Sequence, residues 1–172
     1  FRLISGQTDS FGAVARTHAW IVQIEEIVDR HTIRLTKPAR FDHLARYRPQ
    51  LYSFDGVRQV GIEHLRIQSS WPGGYRHHKP YLGADGKIVR AAKEQDYLWN
   101  GIWISSATDG WVRDVAFKDL TQGVIVCRAS QITLQDLQFH GHAGHAGITI
   151  AHGNDNLVTG VDFYARLVHP VT

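Results

Sequence analysis

Three histidines fall within six residues in His140-Gly141-His142-Ala143-Gly144-His145. An imidazole exchanges protons near neutral pH and also ligates metals. Here the glycine-rich spacing fixes no ligand geometry and no carboxylate adjoins the run. The expectation is therefore acid–base use, with no metal and no cofactor. A further histidine, His169, lies close in sequence to Arg166, a cation able to pair with a carboxylate. The other stretch with chemistry to offer is 68–100, which contains Trp71, Tyr75, Arg76, His77, His78, Lys79, Tyr81, Tyr97 and Trp99. Aromatic faces stack on sugar rings and cations bind carboxylates or sulfates. The same aromatics would also tack a long loop onto a scaffold.

A repeat must position these residues. Gly101-Ile102-Trp103-Ile104, Gly123-Val124-Ile125-Val126 and Gly147-Ile148-Thr149-Ile150 follow one another at steps of 22 and 24 residues. A second trio keeps the same steps: Val112-x-x-Val115-x-Phe117, Leu134-x-x-Leu137-x-Phe139 and Val158-x-x-Val161-x-Phe163. Short strands recurring at this period predict coils stacked about 4.8 Å apart, each strand pairing with its copy above and below. The middle residue of the second element is His64, Asp114, Asp136 and Gly160 in successive coils. All four types tolerate a left-handed backbone, so a bend is predicted there. The fold class is all-β, a single-stranded right-handed parallel β-helix.

Extended backward, the pattern makes Leu51–Phe54 the first element and Ile62-x-x-Leu65-x-Ile67 the second element of an earlier coil. Extended forward, Pro170-Val171-Thr172 begins another, and the chain is expected to continue beyond Thr172. Residues 1–18 read as loop. Residues 19–41 read as two strands around Asp29-Arg30-His31, expected to cover the open end of the first coil. The resulting division is 1–50 as an N-terminal loop and β-hairpin cap, and 51–172 as β-helix coils with an insertion at 68–100.

The 172 residues carry a net charge of +3 and one cysteine, Cys127. No intrachain disulfide is available, and no lysine/arginine run marks a nucleic-acid surface. No apolar stretch is long enough for a membrane helix. Neither nucleic acid nor membrane is expected as a partner.

The connection after the second element varies in length, from 33 residues at 68–100 to five at 118–122, while the other turns stay constant. Variable loops gathered at one corner of a rigid scaffold are where function is expected. Stacking sets His145 and His169 on adjacent coils, with Arg166 in the same short loop as His169. The candidate acid–base residues are His145, His169, Arg166 and His142. The candidate substrate-binding residues are Tyr97, Asn100, Trp103, His140, Lys79 and Trp71.

The segments Tyr97-x-x-Asn100-Gly101-Ile102, Gly110-Trp111-Val112-Arg113-Asp114-Val115, Gly144-His145-Ala146-Gly147-Ile148, Asp155-Asn156-Leu157-Val158-Thr159 and 165–172 resemble bacterial members of the pectin lyase-like (pectate lyase superfamily) β-helix proteins. The likeness covers about residues 19–172. It implies a polysaccharide partner and a secreted or periplasmic location. The superfamily holds lyases, glycoside hydrolases, epimerases and phage tailspikes, so fold does not choose among them. The outward residues Trp103, Ile125 and Thr149 include no acidic cluster for a calcium-bridged pectate site. The leading expectation is a lyase that cleaves a uronate-containing polysaccharide by β-elimination. A glycoside hydrolase would need two carboxylates, for which Glu94, Asp96 and Asp109 are the nearest candidates. A non-enzymatic tailspike or adhesin would form trimers, so the expected state is a monomer or a homotrimer.

Overall fold

The computed structural model describes residues 2–8, 15–39, 49–91 and 96–172. It is an all-β chain whose parallel sheets stack as a β-solenoid of about three turns. In chain order the strands begin with β1 (Arg2–Thr8), β2 (Ala15–Ile21), β3 (Ile24–Ile27), β4 (Ile33–Leu35), β5 (Gln50–Tyr52) and β6 (Val57–Arg58). They continue with β7 (Gly61–Gln68), β8 (Tyr81–Leu82), β9 (Ile88–Arg90), β10 (Asn100–Ser105), β11 (Ala107–Thr108) and β12 (Trp111–Lys118). The last are β13 (Gln122–Cys127), β14 (Thr133–His140), β15 (Gly144–Ala151), β16 (Leu157–Phe163) and β17 (Leu167–Val171).

Two four-stranded parallel sheets carry the coils, β10-β13-β15-β17 and β7-β12-β14-β16. Their register follows the sequence repeat. Ile102 pairs with Val124 and Val124 with Ile148 on one sheet; Ile62, Val112, Leu134 and Val158 line up on the other. The inward residues fill one core. Val112, Val124, Val126, Leu134, Leu137 and Ile148 are all fully buried. Phe117, Phe139 and Phe163 form a ladder with ring centroids 5.0 Å apart at each step. Opposite that ladder stand Gly101, Gly123 and Gly147. A Cβ on Gly123 would lie 2.1 Å from the Phe139 ring and 2.7 Å from the carbonyl oxygen of Gly147. Glycine begins each first element because the neighbouring ring and the next coil's backbone leave no room for a side chain.

The bend column has the conformation expected for it. His64, Asp114, Asp136 and Gly160 have φ of 57°, 51°, 52° and 62°. A second left-handed column, Gln59, Asp109, Gln131 and Asp155, turns the chain between the two sheets. Parallel bridges from Thr108 to Ser130 and from Ser130 to Asn154 carry the stacking through that corner.

The N-terminal region departs from the sequence expectation. Residues 1–18 are not all loop: β1 and β2 form an antiparallel pair within them, extending to Ile21. Leu51 and Tyr52 do not start a coil. They lie in β5, which pairs antiparallel with β1, so β10 is the edge strand of its sheet. The backward extension fails because those two residues find hydrogen-bonding partners in the N-terminal hairpin instead of in β10. Its second element does hold, as β7 pairs with β12. The expected hairpin at 19–41 is present as β3 and β4, although residues 40 and 41 lie outside the described set. It runs from a chain segment tied to the side of the rod. The amide N–H of Ile21 donates to Asn154 Oδ1 at 3.0 Å, and Asn154 Nδ2 donates back to the Ile21 carbonyl at 3.3 Å.

Candidate functional site

The insertion folds back onto the corner where β13, β15 and β17 begin. Trp99 closes it. The carbonyl of Trp99 accepts the N–H of Thr121 at 2.9 Å, and its own N–H donates to Thr121 Oγ1 at 3.2 Å. At the other end Ser69 Oγ donates to the Asp119 carbonyl and accepts the Trp71 N–H at 3.0 Å. The indole of Trp71 is buried and meets His142 edge-on, with centroids 6.0 Å apart. Gln122, itself buried, donates from Nε2 to the Asp96 carbonyl at 2.9 Å. The insertion also carries the exposed hairpin β8–β9. A pocket of about 250 Å³ opens between it and the corner, lined by Trp71, Tyr75, Tyr81, Arg90, Trp99 and Thr121 among others.

This folding gathers four imidazoles. His145, buried at the start of β15, lies 5.4 Å from His169 of β17 and 5.5 Å from both His77 and His78, measured between ring centroids. The His77 and His78 rings are 3.8 Å apart. Nε2 of His77 stands 3.3 Å from Nε2 of His169. Behind them lies Asp96, only 3% exposed. Its Oδ1 accepts the Tyr75 hydroxyl at 2.6 Å and its Oδ2 faces His78 Nδ1 at 2.8 Å. Tyr97 presents its ring to His145 at 6.1 Å and remains about half exposed.

The electrostatics follow from this packing. Burial lowers the pKa of His145 below the ordinary imidazole value; the Asp96 charge works against this, and the neighbouring histidines reinforce it. His77 is also lowered, first by desolvation and then by the charges of His78 and His169. For Asp96, burial raises the pKa, but the hydrogen bonds from Tyr75 and His78 outweigh it and hold the carboxyl below its usual range. The phenol of Tyr75 is pushed upward by burial and by the Asp96 carboxylate, so it stays protonated as a donor. The site thus combines neutral imidazoles with one buried, fully engaged carboxylate.

Of the sequence-derived candidates, His145, His169 and Tyr97 come together here. Asn100 begins β10, pairs with Gln122 and keeps a buried Oδ1 with no hydrogen-bond partner. Arg166 is exposed in the turn before β17, and its carbonyl accepts the Gly144 N–H. His142 stands apart from the imidazole group, held by Trp71 and by Asp119, whose Oδ1 accepts the His142 N–H at 3.0 Å. Trp71 likewise anchors the loop. Lys79 is exposed on a turn of the insertion. Trp103 is exposed on the outer face of β10. His140 lies on the other sheet, stacked on Tyr164 at 4.6 Å.

The sequence reading omitted His77, His78, Tyr75 and Asp96 from the site, and its argument that no carboxylate adjoins the histidines does not survive the fold. Asp96 reaches them from 49 positions before His145. The basic and aromatic composition of the insertion was the available signal.

The architecture defines the class: a β-solenoid, consistent with a pectate lyase-like fold, with an insertion building an imidazole cluster at one corner. No protein-family model, curated protein or solved structure matches the chain.

Proposed function

We propose that the protein is a carbohydrate-active enzyme that cleaves an acidic, uronate-containing polysaccharide by β-elimination at this corner. The observation that carries the reading is the 5.4 Å approach of His145 and His169 beside the half-exposed Tyr97. A neutral imidazole of this pair takes the proton α to the uronate carboxylate. The electron pair left behind forms the new carbon–carbon double bond as the glycosidic C–O bond breaks. The leaving oxygen takes up a proton. Arg166, exposed beside the start of β17, is the cation available to the substrate carboxylate. A chain of sugars along the stacked coils would reach the aromatic pocket of the insertion. Such substrates imply a secreted or periplasmic site of action.

A hydrolase is less well supported. It needs two carboxylates flanking the scissile bond. Asp96 is buried and bonded on both oxygens, and Asp109 sits at the other corner near Arg58 at 3.6 Å. Glu94 lies outside the described residues.

The test is incubation with a panel of uronate polymers, following the ultraviolet absorbance of the unsaturated product. Wild type should generate it, and His145→Ala/His169→Ala should lower the rate by about 10²–10⁴-fold. Reducing ends released without an unsaturated product would replace this reading with hydrolysis. No cleavage of any polymer, with a trimeric mass in solution, would replace it with a structural role.

A further inference from the structure

We infer that His77, His145 and His169 form a binding site for one divalent transition-metal ion of the Zn²⁺ type. Each offers a ring nitrogen, and the three ligand atoms all lie within 4.8 Å of one another. The distance between two of them is diagnostic. Two imidazole nitrogens on one tetrahedral Zn²⁺, each bound at about 2.0–2.1 Å, stand about 3.3 Å apart. His77 Nε2 and His169 Nε2 are 3.3 Å apart. As a direct hydrogen bond this contact is long, and it requires one ring to carry its proton on Nε2 while the other presents a lone pair.

The surroundings suit a borderline-soft cation. All three ligands are imidazoles, which favour zinc, copper, nickel and iron over calcium or magnesium. The second group, His78, Asp96 and His145, overlaps the first through His145. It supplies a carboxylate–histidine arrangement: with Nδ1 of His78 engaged by Asp96 Oδ2, its Nε2 is left to face outward. Tyr75 fixes the other Asp96 oxygen. His169 is half-buried and His78 exposed, so an ion can enter from solvent. The site joins two coils to a loop, so an ion would tie the insertion to the rod.

The consequence for activity rests on the lyase reading above. An ion bound to His145 and His169 occupies the lone pairs that proton abstraction needs, so Zn²⁺ would shut elimination off. Metal binding itself does not depend on that reading.

The test is calorimetric titration of ZnCl₂ into the chelator-treated 172-residue protein, with Co²⁺ absorption as the coordination signature. The expected result is one ion per chain and a tetrahedral cobalt band. His77→Ala and His169→Ala should each weaken binding by more than about 100-fold. His31→Ala, in the distant β3–β4 hairpin, should not change it. Circular dichroism and melting curves confirm that each variant is folded. Absent binding, or equal affinity in all three variants, would overturn the site. Zinc binding without polymer cleavage keeps the metal site and removes the lyase; cleavage without zinc binding does the reverse.

Discussion

His77 Nε2 and His169 Nε2 meet at 3.3 Å although 92 positions separate them in the chain. Two folding devices produce this contact. Stacking carries His169 onto the coil beside His145, through the pairing of Ala146 with His169. The insertion then brings His77 across the corner, held by Trp71, Gln122 and Trp99. Neither device alone assembles the cluster, and each yields separate expectations.

The phenylalanine ladder should dominate the stability of the rod. Phe139 is 3% exposed and stacks on both Phe117 and Phe163. Phe139→Ala removes a large buried ring between two others and leaves a cavity the strands cannot close. The expected loss is about 3–5 kcal/mol, read from urea denaturation. An exposed control such as Tyr164→Ala should cost less.

Gly123→Ala tests the packing opposite that ladder. Its new Cβ would meet the Phe139 ring at 2.1 Å and the Gly147 carbonyl at 2.7 Å. Overpacking against a ring and a backbone that pairs with the next coil is expected to cost about 1–3 kcal/mol. In a Phe139→Ala background the same substitution should cost less, because one of the two obstacles has gone. A double-mutant cycle measures the difference.

The bend column was legible from residue type alone, and so was the register of both sheets. Val112, Leu134 and Val158 repeat at fixed steps, and a one-residue slip would have turned them outward. What escaped were the pieces without a copy elsewhere in the chain. Leu51 and Tyr52 fit the apolar pattern but pair with β1, because periodicity states what can be buried and not which edge is free. Asp96 and His78 belong to an insertion of 33 residues with no repeat against which to set a register. Their meeting depends on tertiary contacts made by Trp71 and Gln122. His145 and His169 were found because they lie on the repeat itself.

The left-handed bend makes a further prediction. Asp136 has φ 52° and its side chain is exposed. Asp136→Val places a β-branched residue in that conformation and should cost about 1–2 kcal/mol. Asp136→Gly should be close to neutral. Comparing the two by thermal melts separates backbone strain from loss of the carboxylate.

Acid should weaken one exposed tie between coils. Glu63 accepts hydrogen bonds from Arg113 Nε at 3.0 Å and from Trp111 Nε1 at 3.0 Å. The Arg113 bond, then that of Trp111, lowers its carboxyl pKa below the ordinary value of 4.5. Between the folded and unfolded values the unfolded chain binds more protons, so stability rises with pH. The contribution is therefore present above pH 4.5 and is lost as the pH falls through the lower, folded value. Urea midpoints measured from neutral pH downward should drop in wild type, and the Glu63→Gln variant should show a shallower fall.

The carboxylate behind the imidazoles gives the last test. Asp96 is buried, and its charge is sustained by two donors, the Tyr75 hydroxyl and the His78 ring. Tyr75→Phe keeps the ring and removes only the hydroxyl, leaving Oδ1 without that partner. An under-bonded buried carboxylate is costly, and the expected destabilisation is about 1–3 kcal/mol. The loss should concentrate in the insertion, because Asp96 and Tyr75 both belong to it. Amide exchange should then rise across the β8–β9 hairpin and at Trp71, while the amides of β12 and β14 keep their protection. Equal loss in both regions would mean that Asp96 supports the whole rod and not the loop that completes the site.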